Sequence, residues 1–121
     1  MFWSKKNQSN FHWSYLQSTT DLNNAIEKSK SIHVLIFKHS TRCSISSLAK
    51  SRIENNWNDS ISIEPYLIDI LTYRVISNEI SDRFNVVHES PQVLLVSTEK
   101  CIGSLSHNEI DVEEILKMIK D

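Results

Sequence analysis

The run Ile32-His33-Val34-Leu35-Ile36-Phe37 constrains this chain more than any other segment. It has the length of a strand, is nearly unbroken in its apolar character and is rich in β-branched residues. A strand of that kind is covered on both faces, because a strand with one wet face alternates apolar and polar side chains. It therefore reads as the central strand of a sheet. The polar stretch Lys38 to Arg42 follows as a loop, and Ile45, Leu48, Ala49, Arg52 and Ile53 then recur at intervals of three and four, which turns one face of a helix inward. Cys43 thus falls at a strand-to-helix junction.

The other elements arrange themselves around that unit. Residues 1–18 are polar with isolated aromatics (Trp3, Phe11, Trp13, Tyr15), a pattern that predicts an irregular segment and a short strand near Trp13 to Leu16. Thr19 and Thr20 offer a hydroxyl cap to a short helix with Asp21 in its first turn and Leu22, Ala25 and Ile26 on one stripe. Ile61 to Leu71 reads as a strand in which Pro65, lacking an N–H, belongs at an edge or at the start. Val75, Ile76, Ile80 and Phe84 predict the core face of another helix. Gln92 to Ser97 and Cys101 to Ser106, joined by Thr98-Glu99-Lys100, predict a hairpin, and Asp111 with Glu114 forms a capping box for the last helix. The order helix, strand, helix, strand, helix, hairpin, helix is an α/β pattern. It implies a mixed sheet of four or five strands with flanking helices and a C-terminal antiparallel hairpin plus helix, which is the thioredoxin arrangement.

Composition bounds the function. A length of 121 residues suits one compact domain over 1–121. The formal net charge is -2 and the basic residues are scattered, unlike the clustered footprint of a nucleic-acid or membrane-surface binder, so neither partner is expected. The N-terminus lacks the apolar core of roughly 7–15 residues found in secretory signals, and no stretch approaches the ~18 apolar residues of a membrane span, so a cytoplasmic location is expected. The lone glycine, Gly103, excludes dinucleotide folds and phosphate loops, which need several glycines to bring backbone close to phosphate. The five histidines are dispersed without the paired spacing of a structural zinc site, so no metal and no bound cofactor are expected. His39 and His88 sit in loops on this reading, within reach of the Cys43 pocket but without an evident catalytic duty.

Two cysteines are too few for a disulfide framework, and each is judged by its position. An isolated cysteine is most often a small packed residue, which is the reading for Cys101 at the far end of the hairpin. Cys43 is different. The thiolate is the nucleophile, and a helix N-terminus favours negative charge. Arg42 next to Cys43, Lys38 and His39 in the same loop, and a hydrogen bond from the Ser46 hydroxyl to the sulfur would together bring the thiol below neutral pH.

The segment Phe37-Lys38-His39-Ser40-Thr41-Arg42-Cys43-Ser44-Ile45-Ser46 resembles the active site of the YtxJ-like bacillithiol-system proteins, also called monothiol bacilliredoxins. His88-Glu89-Ser90-Pro91-Gln92-Val93-Leu94-Leu95 is similar to that family's loop before its third core strand, and the likeness extends over roughly residues 19 to 107. The family usually has proline directly after the cysteine, where this chain has Ser44. The resemblance implies a thioredoxin-like fold with Cys43 as the catalytic thiol, Arg42, Ser46, His39, Ser90 and Pro91 in support, and Pro91 in a cis peptide with Ser90 beside Cys43. It also implies a monothiol thiol-disulfide oxidoreductase that removes bacillithiol, or a similar low-molecular-weight thiol, from S-thiolated client proteins, with that thiol as co-substrate. Ser46 stands where a dithiol thioredoxin has its resolving cysteine, and a hydroxyl forms no disulfide, so mixed disulfides at Cys43 wait for an external thiol. Two other readings remain. One is a thioredoxin-like interaction or stress-response module without turnover. The other, an iron-sulfur carrier, expects Gly-Phe where this chain has Ser44-Ile45.

Overall fold

The computed structural model describes residues 11–119. Of the irregular segment expected over 1–18, residues 1–10 lie outside the described part. The elements are β1 (Ser14–Tyr15), α1 (Thr19–Lys28), β2 (His33–His39), α2 (Ser44–Asn56), β3 (Ile63–Asp69), α3 (Arg74–Phe84), β4 (Gln92–Ser97), β5 (Lys100–Ser106), a 3-10 turn (His107–Glu109) and α4 (Val112–Lys117). Five strands form one mixed sheet in the order β1-β3-β2-β4-β5. β2 runs parallel to β3 and antiparallel to β4, and β4 to β5 is an antiparallel hairpin. No helix among the described residues is long and apolar enough to cross a membrane.

The central run is buried on both faces, as its composition requires. Val34 and Ile36 join Leu22, Ile26, Ile76, Ile80 and Leu94 on the side covered by α1 and α3. Leu35 and Phe37 join Ala49, Ile53, Val93, Leu95 and Ile115 on the side of α2 and α4. Side chains alternate across a strand, so Lys38 continues the first face and His39 the second. Both lie in β2 rather than in a loop, because the ladder persists on both sides: Lys38 is in register with Ile68 and with Gln92, and His39 with Asp69.

Several local expectations shift for identifiable reasons. The cap of α1 is Ser18, whose Oγ accepts from the Asp21 N–H at 3.0 Å, one residue before the two threonines. The inward face of α2 is Ser46, Ala49 and Ile53, while Ile45 and Leu48 are 44% and 61% exposed. The face is turned because Ser46 is drawn under the end of β2. Val75 is 77% exposed: it falls in the first turn of α3, whose inward residues are Ile76, Ser77 and Ile80. Pro65 lies inside β3, opposite Leu35. The Leu67 carbonyl faces β1 and accepts from the Leu16 N–H at 3.0 Å, so Pro65, two residues earlier, faces the same side. The β1 pairing begins only at Tyr66, and the missing N–H removes no ladder bond.

At α4 Asp111 accepts from the Glu114 N–H at 2.8 Å, but the Glu114 carboxylate turns to Lys117, so only half of the expected box forms. The complete reciprocal box is Ser106 with Glu109 at the 3-10 turn. Gly103 lies close under the C-terminal end of α4: a Cβ there would sit 2.5 Å from Met118 Sδ, so the flexible Met118 side chain would have to shift to admit one.

Candidate functional site

β2 ends at His39, Ser40 begins the exit, and Thr41 and Arg42 form an exposed turn. Cys43 is the N-cap of α2, with extended φ and ψ of -113° and 121°. Its N–H bonds to the Ser40 carbonyl at 3.2 Å, and its carbonyl accepts from the Ser47 N–H at 3.1 Å. The start of α2 has no side-chain cap and no acidic residue in its first turn, so helix amides meet the sulfur's surroundings without an internal anion. Cys43 is half-buried and its neighbours Arg42, Ser44 and Ile45 are exposed, which leaves an approach for a second sulfur.

Ser46 is fully buried one turn on, and its hydroxyl is engaged elsewhere than expected. Oγ accepts from the Ser40 N–H at 3.0 Å and pairs with His39 Nδ1 at 2.6 Å. No hydrogen bond joins it to Cys43 Sγ among the described residues, so the expected bond to the sulfur is not made. His39 is only 6% exposed, which corrects its reading as a loop residue. Its ring stacks on Phe37 at 5.5 Å, and Phe37 stacks on Trp13 at 5.5 Å. Burial, with Lys50 nearby, pushes the imidazole below its usual range, so His39 is a neutral strut and not a source of positive charge. The turn ahead of Cys43 therefore stands on a polar knot of Ser40, Ser46 and His39 backed by an aromatic stack.

Lys38 also departs from its expected role. It is fully buried on the opposite face, with Nζ 2.8 Å from Ser81 Oγ and 3.1 Å from His88 Nδ1. Burial lowers its pKa to about 8. Among the described residues no carboxylate is paired with it. Arg42 remains the cation adjacent in sequence to the cysteine, on the exposed turn.

The second segment arrives from β4. The Ser90–Pro91 peptide is cis. Pro91 is buried, and its carbonyl accepts from the His107 N–H at 3.0 Å. Lys38 faces Gln92 in the β2–β4 register, so Pro91, one residue earlier, lies opposite His39 at the end of β2 where the Cys43 turn begins. Ser90 is half-buried. The two sequence segments singled out at 37–46 and 88–95 thus meet across one strand pair. Beside the first of these segments, on the side of β1 and β3, lies an open groove of about 660 Å³, lined by Thr41, Ser47 and Lys50 on one side and Tyr15, Asp69 and Tyr73 on the other; neither Cys43 nor any residue of 88–95 lines it. Among the described residues, no group of three His, Cys, Asp or Glu side chains is placed to hold a metal ion.

Cys101 sits in β5 against the core layer of α1 and α3. Its Sγ donates to the Gly103 carbonyl at 3.3 Å, and burial pushes the thiol up.

A family model of monothiol bacilliredoxin BrxC matches residues 14–115. The chain belongs to the monothiol bacilliredoxin family. A solved structure described as a candidate oxidoreductase with a thioredoxin fold is 25% identical, with a TM-score of 0.78 over 87% of this chain and 91% of that one. Thioredoxin from Trypanosoma brucei brucei is 13% identical, with a TM-score of 0.73 over 91% of this chain and 93% of its own. Thioredoxin from Malassezia sympodialis is 12% identical, with a TM-score of 0.70 over 91% and 90% of the two chains. These two show the fold alone. Family and fold together give this bacilliredoxin-family chain a thiol redox role.

The burial of Lys38, Ser40 and Gln92 has no counterpart in the expectations above, which put Lys38 in a loop beside Cys43. The signal for Lys38 was present: it extends the alternation of Val34 and Ile36 by one further step on the same face.

Proposed function

We propose that this protein is a monothiol thiol-disulfide oxidoreductase in which Cys43 removes a low-molecular-weight thiol, bacillithiol or a relative of it, from S-thiolated client proteins. The Cys43 thiolate attacks the adduct sulfur of a client mixed disulfide. A Cys43–adduct disulfide forms, the client sulfur leaves as thiolate and takes up a proton. A second low-molecular-weight thiol, as thiolate, then attacks the adduct sulfur, giving its own disulfide and returning the Cys43 thiolate. The uncapped first-turn amides of α2 favour the anion at both ends of this cycle. Arg42 adds a positive charge on the exposed turn, and Ser90 and Pro91 form the wall across from that turn.

The observation that carries the reading is the state of Ser46. It occupies the third position after Cys43, is fully buried and is tied to Ser40 and His39, so nothing at that position can resolve a mixed disulfide from within. Cys101 lies beyond β4 and the hairpin turn, and six strand residues span about 20 Å. A mixed disulfide at Cys43 therefore persists until an external thiol arrives, the behaviour required of a carrier of small thiol adducts.

The test is to incubate the protein with a bacillithiol-modified and, separately, a glutathione-modified substrate protein and to follow the adduct mass. Transfer of the adduct to Cys43 with release of the free substrate thiol is expected. Substrate release slower than in buffer, or an unmodified Cys43 throughout, would leave the interaction module as the better reading.

A further inference from the structure

The ammonium of Lys38 and the amide of Gln92 are cross-strand neighbours on one face of the β2–β4 pair, and both side chains are almost entirely buried. Each reaches out of the sheet to the same short segment. Gln92 Nε2 donates to the Val87 carbonyl at 2.9 Å, and its Oε1 accepts from the Glu89 N–H at 3.3 Å. Lys38 Nζ donates to His88 Nδ1 at 3.1 Å and to Ser81 Oγ, in the last turn of α3, at 2.8 Å. Three consecutive residues, Val87, His88 and Glu89, are thus held from below by two adjacent strands. The next two residues are Ser90 and Pro91.

Burying an ammonium without an anion is costly, and an aliphatic side chain continuing the Val34 and Ile36 face would pack there at lower cost. The partners present, a hydroxyl and an imidazole, do not neutralise the charge. They give direction: three N–H bonds on a long stem can join a helix end and a loop to the centre of the sheet at once. Apart from these bonds the segment is held by an exposed contact of the Glu89 carboxylate with His107 Nε2 at 3.4 Å, and His88 and Val87 are exposed, Val87 to 81%.

We propose that Lys38 is a positioning residue: by pinning His88 and the end of α3 to β2, it fixes the segment that carries the Ser90–Pro91 peptide against the Cys43 turn and so sets the rate of thiol transfer. The inference rests on the thiol-transfer reading above, but its physical core, the clamp, can be measured without it. Lys38 touches neither the thiol nor its partners. It acts through the position of the wall facing Cys43, and misplacement of a positioning element by about 1 Å can slow a reaction by about 100-fold.

The experiment uses the full chain with Lys38→Met, His88→Ala and His88→Asn. Met keeps the stem and removes the donors. Asn places an acceptor oxygen near the position of Nδ1, whereas Ala removes it. Two quantities are read: hydrogen exchange of the backbone amides from Val87 to Gln92, and the kcat and KM of adduct transfer from a glutathione-modified substrate protein. The expected result is exchange faster by about tenfold in Lys38→Met and His88→Ala, with kcat lower by about tenfold and the rate of Cys43 alkylation by a small reagent unchanged. His88→Asn recovers most of both effects, which a merely space-filling role for His88 would not produce. Because His88 is exposed, its variants keep the test open if Lys38→Met fails to fold. Unchanged exchange in His88→Ala, or faster exchange with wild-type transfer, overturns the proposal. A wild-type protein that transfers no adduct sinks the thiol-transfer reading instead, and the exchange data then decide the clamp alone.

Discussion

Cys43 and Cys101 are both half-buried, yet their surroundings have little in common. Cys43 ends a turn, with backbone bonds to Ser40 and Ser47, exposed residues on either side and the open start of a 13-residue helix beneath it. Cys101 lies within a strand, with Sγ bonded to the Gly103 carbonyl and its thiol pushed up by burial. Fractional exposure therefore does not distinguish them. The backbone does: Cys43 stands at the uncapped start of a helix between exposed residues, while the sulfur of Cys101 meets a carbonyl and hydrocarbon, which disfavours the thiolate.

The largest test of this contrast is Cys43→Ser, which should lower adduct transfer by a factor on the order of 10³ or more, since the nucleophile is removed while the fold is kept. Transfer that survives the substitution would break the contrast outright. Ser46→Ala addresses the support under the Cys43 turn. It leaves the Ser40 N–H and His39 Nδ1 without their buried partner, and a loss of about 1–3 kcal/mol is expected in urea unfolding, with no comparable effect from Ser104, an exposed serine of the strand that carries Cys101.

Acid sharpens the same point. His39 is held below its usual range in the folded state, so between its folded value and about 6.5 the unfolded chain binds a proton that the folded chain does not. Stability should then fall as pH drops below about 6.5, and His39→Asn should remove that part of the slope in unfolding curves. Lys38 works in the same sense at higher pH. Its folded value of about 8 lies below the ordinary 10.5, so the unfolded chain holds the extra proton between these values and stability rises with pH across that window. The smallest effect is reserved for Cys101→Ser, which should change transfer by less than about twofold. A larger loss would place the second sulfur in the cycle.

Much of the fold and, through the family resemblance, both segments of the candidate site were legible in the residue order. The apolar run 32–37 could only be a strand covered twice, and the layers on either side of Leu35 and Ile36 agree. The Gln92–Ser97 strand, its hairpin partner and the junction at Cys43 fell where the pattern placed them. What could not be read was the end of β2. A polar residue after an apolar run signals a loop, and Lys38 and His39 broke that rule because two neighbouring strands kept both in the ladder. Their partners lie far along the chain: Ser81 and His88 for Lys38, the aromatic stack through Trp13 for His39. The hairpin turn makes the same case. Thr98 and Glu99 both have positive φ, a conformation that usually calls for Asn-Gly. They hold it with help from Ser29, whose carbonyl accepts from the Thr98 N–H at 2.8 Å and whose Oγ accepts from the Glu99 N–H at 2.9 Å.

By itself, then, the sequence determined the elements, their α/β order and the position of one thiol at the start of a helix, because those follow from periodicity, capping and the chemistry of neighbours in the chain. Tertiary structure alone decided which way Ser46 turns and that Lys38 is buried without an anion. The reason is physical: a buried polar side chain must find its hydrogen bonds wherever the packed layers offer them, and no local pattern records where that is.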